Sequence, residues 1–129
     1  MTETALDLDR IVARYVEVWN EPDAGARREL IEQLWTPDGV EFVDGGVQFR
    51  GYAELTDRVT EAYLQFVATG DFTVVGAGDV TVHDDIVTFT SQLVANGDAA
   101  WAARVFLLLD DDGRIREDYH ITTLPLPPA

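Results

Sequence analysis

The second half of the chain constrains the fold most. From Phe72 onward, long extended runs alternate with short turns: Phe72 to His83, Ile86 to Ala95, Trp101 to Leu109 and Arg114 to Leu124. The breaks are Asp84-Asp85, Asn96-Gly97 and Asp110-Asp111-Asp112-Gly113. Asn-Gly is a strong hairpin signal, because both residues accept the positive φ that a tight two-residue turn requires. The pattern predicts an antiparallel meander of long strands.

The first half reads helical. Leu8, Ile11, Val12, Tyr15, Val16 and Trp19 recur at three- and four-residue spacing, one stripe of a helix over about 5–20. Pro22 and Asp23 break it, with Asp23 placed to cap a second helix ending near Leu34. Thr36-Pro37-Asp38-Gly39 reads as a turn. Short strands at 40–44 and 47–50 flank Gly45-Gly46, and a third helix over about 52–68 carries Leu55, Val59, Ala62, Tyr63, Phe66 and Val67 on its stripe. Helices first and a meander afterwards give an α+β fold, with the helices packed on one face of a curved antiparallel sheet. One domain over 1–124 is expected, with an extended Pro-rich tail at 125–129.

Charge and composition narrow the function. The formal net charge is −15, and all nine basic residues are arginine. Such a surface repels phosphate backbones and anionic lipid, which argues against nucleic-acid or membrane partners. The absence of lysine removes Schiff-base chemistry, and the absence of cysteine removes disulfides, thiolate metal sites and cysteine nucleophiles. No run approaches the roughly 18 apolar residues of a membrane span, and the acidic N-terminus lacks signal-peptide character, so a cytoplasmic location is expected. The two histidines lie far apart and the acids fall mainly in turns, so no metal site is read and no cofactor is expected.

Strand parity assigns faces. A hairpin centred on Asn96-Gly97 puts Arg104, Ala102 and Phe106 on the face of Phe89, Ser91 and Leu93. The opposite face takes Thr88, Thr90, Gln92, Trp101, Ala103 and Val105, and suits a partner subunit. In the last strand Asp118 and His120 share a face with Arg116 and Thr122. A three-residue Asp-rich loop sets Arg104 opposite His120; a two-residue loop sets Val105 there. The first register is preferred, because it gathers the polar groups.

An ordered set of segments brings a resemblance: Arg14-Tyr15-Val16-Glu17-Val18-Trp19-Asn20, Leu34-Trp35-Thr36-Pro37-Asp38-Gly39, Phe42-Val43-Asp44, Phe49-Arg50-Gly51, Asp112-Gly113-Arg114-Ile115-Arg116 and Asp118-Tyr119. Together they resemble the SnoaL-like family of the nuclear-transport-factor-2-like (NTF2-like) superfamily, over about residues 8–123. The resemblance implies a cone-shaped fold in which a bent sheet wraps around the helices and leaves an apolar pocket. It also implies a homodimer formed through the outer sheet face. The superfamily includes polyketide cyclases, ketosteroid isomerases, limonene-epoxide hydrolases, dehydratases and binding modules, so residues must decide the reaction.

By that resemblance Asp44 stands where isomerases keep a general base, although it equally fits a turn aspartate bonded to its own backbone. His120 takes the place of the cyclases' acid/base group, and Asp118-Tyr119 resembles an epoxide-hydrolase pair. A histidine moves protons near neutrality, and an adjacent carboxylate favours its charged form. Tyr15 matches the isomerase oxyanion donor by its place on the first helix, although its otherwise ordinary core stripe favours a core tyrosine with a satisfied hydroxyl. The isomerases' second aspartate has no counterpart; Arg104 or Val105 stands there. Arg104 is expected to orient Asp118 or bind a substrate oxygen. Trp19, Trp35, Tyr63, Phe66, Phe89 and Phe106 are expected to line the pocket or fill its base.

The expectation is therefore a cofactor-independent enzyme using acid/base catalysis on an apolar, oxygenated, polyketide-like small molecule. Two alternatives stand beside it: a non-catalytic binding or dimerisation module of the same fold, and epoxide-hydrolase-like water activation. A cavity of about 300 Å³ or more at these side chains favours an enzyme or ligand binder, and a filled core favours an assembly module.

Overall fold

The computed structural model describes residues 2–126, with side chains from Arg10 onward. Three helices and the seven strands of one curved sheet follow in the order α1 (Thr2–Asn20), α2 (Ala24–Leu34), β1 (Trp35–Val43), β2 (Val47–Arg50), α3 (Gly51–Ala62), β3 (Thr73–Gly76), β4 (Thr81–His83), β5 (Ile86–Ala95), β6 (Asp98–Leu109) and β7 (Ile115–Leu124). Among the described residues no helix is long and apolar enough to cross a membrane.

The helix assignments hold. Asp23 caps α2, its side chain accepting from the Ala26 amide at 2.8 Å. Tyr15, Val18 and Trp19 of α1 bury against Ile31, Trp35, Leu55, Val59 and the sheet. Leu8 of the expected stripe lies outside the described side chains. The third helix loosens into a π-helical turn at Tyr63–Val67. Asn20 fastens the end of α1 to β3, accepting from the Val74 amide at 2.9 Å and donating to its carbonyl at 2.7 Å.

The sheet runs β2-β1-β7-β6-β5-β3, with β4 also on β5. It is mixed rather than antiparallel, because β1 lies parallel to β7. The expected turn at 36–39 is part of β1, absorbed as an irregularity between Trp35 and Val40. The expected strand 72–83 is two strands, β3 and β4, pairing with successive stretches of β5.

Two one-residue bulges reset the expected faces. In the β5–β6 hairpin Val94 pairs with Ala99 but Leu93 pairs with Trp101, leaving Ala100 as an extra residue. Thr90 therefore faces Arg104, and Phe89 faces Val105. At the β6–β7 corner Leu109 pairs with Ile115 but Leu108 pairs with Glu117, so Arg116 is extra. Val105, not Arg104, then stands opposite His120, and Leu107, not Phe106, opposite Asp118. Because a one-residue slip moves every later side chain to the other face, Val105, Ala103 and Leu107 turn inward. Arg104 and Phe106 turn outward.

Candidate active site

Four polar side chains meet behind the cavity wall, from three separate parts of the chain. Tyr15 comes from α1, Glu41 from β1, and Asp118 and His120 from β7. The parallel pairing of Glu41 with Asp118 brings the two acids side by side. Tyr15, Glu41 and Asp118 are fully buried, and His120 is 8% exposed. The Tyr15 hydroxyl donates to Asp118 Oδ2 at 2.7 Å and also meets His120 Nε2. That same nitrogen lies 3.1 Å from Glu41 Oε2 and 3.3 Å from Asp118 Oδ1. Arg58 of α3 completes the group, donating Nε–H to Glu41 Oε1 at 3.0 Å. Its guanidinium lies 5.4 Å from the ring centres of both Trp19 and Phe49.

Burial and charge act on each group. Burial raises the Glu41 carboxyl above its usual range, and the positive charges of His120 and Arg58 offset this only in part. Burial opposes the charge on His120, but Asp118 and Glu41 outweigh it and raise its pKa above the ordinary value of 6.5. Burial, with the two acids beside it, pushes the Tyr15 hydroxyl well above 10.0, so Tyr15 stays a neutral donor. A protonated His120 and Arg58 together balance two carboxylates, which is the condition under which buried charges are tolerated.

Beside this cluster is a cavity of about 210 Å³, walled by Trp19, Phe66, Leu93, Trp101 and Val74, with Arg58, Ser91 and His120 as its polar side chains. At ~30 Å³ per molecule it has room for about seven waters. It falls short of the roughly 300 Å³ expected of an enzyme or ligand binder, yet it is not a filled core, and its room is that of a one-ring molecule and not of a fused polyketide. Leu126 also reaches its wall. The rest of the expected tail, residues 127–129, lies outside the described residues.

The structure brings together His120, Asp118 and Tyr15. It separates the other expected site residues. Arg104 faces outward, bonded to Asp79 at 2.7 Å and to Thr88 and Thr90. Asp44 is exposed in a 3₁₀ turn and accepts from the Thr122 amide at 3.2 Å. Trp19 and Phe66 line the cavity. Trp35 and Phe89 are fully buried around Tyr15 instead, with ring centres 5.7 and 5.6 Å from its own. Tyr63 lies under the buried Arg27, 4.5 Å from its guanidinium. Phe106 pairs with Tyr119 on β7, in the outward set.

Sequence reasoning missed Glu41 and Arg58. Both carried a signal: an acid inside the short apolar run Val40-Glu41-Phe42-Val43, and an arginine three residues after Leu55, on the edge of the α3 stripe. Glu41, Asp118 and His120 each offer a metal-type donor atom, all within 4.8 Å of one another. Arg58 counters Glu41, and the Tyr15 hydroxyl meets Nε2.

No family model matches the chain, and no curated protein sequence matches it. Solved structures do. A candidate isomerase of the SnoaL-like family from Agrobacterium tumefaciens superposes with a TM-score of 0.78 at 24% identity, covering 88% of this chain and 94% of that one. A candidate SnoaL-like polyketide cyclase from Jannaschia gives 0.67 at 16% identity, covering 89% and 86%. An NTF2-like protein of unknown function from Exiguobacterium gives 0.65 at 16%, covering 87% and 97%. With its helices cupped in a curved, unclosed sheet, the chain adopts the NTF2-like fold of the SnoaL-like proteins.

Proposed function

We propose that the protein is an acid/base enzyme acting, without a cofactor, on a small, apolar, oxygen-bearing ring molecule, with His120 as the group that touches it. One observation carries this reading. His120 Nε2 meets the Tyr15 hydroxyl and lies close to the charges of Asp118 and Glu41, while Nδ1 is buried with no hydrogen-bond partner among the described residues. A ring that borders the cavity, oriented through one nitrogen and with its other nitrogen uncommitted, can pass a proton to or from a ligand once that nitrogen is reached. Asp118, Glu41 and Tyr15 act through the histidine as positioning residues. They set its charge and orientation.

The isomerase and cyclase names of two neighbours support proton-transfer chemistry of this kind. The test is deuterium uptake from D₂O into small cyclic ketones, with cyclohexanone as the first probe, followed by NMR. The wild-type protein exchanges faster than buffer, and His120→Gln loses about 10²–10⁴-fold, the usual contribution of a positioned acid/base group. A wild-type protein no faster than buffer across the ring ketones overturns the reading.

The outward sheet face is read as the seat of a second copy of the chain. Phe42 and Tyr119 stack there at 4.8 Å, and Ile121 beside them on β7 is 51% exposed. Light scattering on the purified protein tests this, and a monomer at micromolar concentration counts against it.

A further inference from the structure

Arg58 brings the one arginine side chain to the cavity wall among the described residues. Its Nε–H is committed to Glu41 Oε1 at 3.0 Å, and its guanidinium is fixed near the rings of Trp19 and Phe49. Its two terminal nitrogens make no hydrogen bond among the described residues, and the side chain is 28% exposed and borders the cavity. A guanidinium held in place by a carboxylate and two aromatic rings has lost its conformational freedom before any ligand arrives. Its free end is a planar pair of donors suited to two oxygens in one plane. The facing wall is aromatic and aliphatic: Phe66, Trp101 and Leu93. A cavity of about 210 Å³ leaves room for one ring behind such an oxygen pair.

We propose that the cavity binds a single-ring carboxylate, its two oxygens on the terminal nitrogens of Arg58 and its ring against Trp19, Trp101 and Phe66. This rests on the pocket used in the proposed function and narrows its ring molecule to one whose oxygens include a carboxylate on an otherwise apolar ring. It rests on the cavity and not on turnover, so a protein that binds but does not exchange deuterium would still bear it out.

The test is equilibrium binding followed by intrinsic fluorescence, since Trp19 and Trp101 both border the cavity. Three probes divide the recognition: benzoate carries ring and charge, benzamide keeps the shape without the charge, and acetate keeps the charge without the ring. Benzoate binds saturably and at least about tenfold tighter than either, the scale of one charge-assisted bidentate contact. The double variant Arg58→Gln with Glu41→Gln removes the guanidinium without stranding a buried carboxylate, and it binds benzoate and benzamide alike. Arg58→Lys keeps the charge but not the fork, and loses most of the preference. Equal binding of benzoate and benzamide by the wild-type protein overturns the proposal. So does a charge preference that survives in the folded double variant, or no saturable benzoate binding up to its solubility.

Discussion

The Tyr15 hydroxyl donates to Asp118 Oδ2 at 2.7 Å, tying the middle of the first helix to the last strand inside a fully buried setting. Removing it leaves that buried carboxylate oxygen without its donor. Tyr15→Phe is expected to cost about 1–3 kcal/mol in urea unfolding, the penalty of an unmet buried partner. Its effect on deuterium exchange is expected to be smaller than that of His120→Gln, because Tyr15 is fully buried behind the histidine.

His120→Ala removes the cation that faces two buried acids. Breaking a buried pair from one side costs about 3–5 kcal/mol, so this variant is expected to melt well below the wild type. Glu41→Gln and Asp118→Asn, which remove charge but keep shape, are expected to melt closer to it. Differential scanning calorimetry on the three variants checks the order.

Stability is expected to fall as pH rises through and above neutrality. The folded-state pKa of His120 is raised above 6.5, so its contribution is fully present below that value and fades as pH climbs through the folded one. Glu41 is raised above 4.5, so the folded state also favours its proton, and that contribution fades in the same direction. Asp79, held down by Thr90 and Arg104 despite some burial, works oppositely and only at the acid end, where its contribution is lost below 3.8. The melting midpoint is expected to be higher near pH 6 than near pH 8.5. His120→Gln is expected to flatten that slope, and an unchanged slope counts against the ionised cluster.

Arg104→Gln is a control. Its partner Asp79 is exposed and the pair faces away from the cavity, so the loss is expected to be under about 1 kcal/mol, with deuterium exchange unaltered. Exchange reduced by Arg104→Gln would mean that the two faces of the sheet communicate.

Chelation separates a proton from a cation at Glu41, Asp118 and His120. Exhaustive dialysis against EDTA is expected to leave exchange unchanged. A loss restored by one divalent ion would assign the three donors to that metal instead.

The helices, the strand-rich second half and the pairing of Asp118 with His120 were all legible in the sequence. Facing was legible only in part. Ala100 and Arg116 each add one residue to a ladder, and each inverts the side-chain parity that follows. For His120 and Asp118 the two inversions cancel, so both stay on the side of Phe89. For Arg104 and Phe106, between the bulges, only the first applies, and both face away. Glu41 was hidden for another reason. β1 lies between β2 and β7, so its face cannot be told from alternation alone.

The pairing of β1 with β7 has a consequence for how the molecule forms. Glu41 belongs to the first strand made and Asp118 and His120 to the last, so the two halves of the cluster meet only once nearly the whole chain is available. Contacts so distant in sequence slow folding, since a long loop must close before they repay it. A nascent chain halted before β7 carries every helix, but its strands stay in two separate groups, β2-β1 and β6-β5-β3, and Glu41 has neither its neighbouring acid nor the histidine. The buried cluster is therefore the last feature this protein assembles during its synthesis.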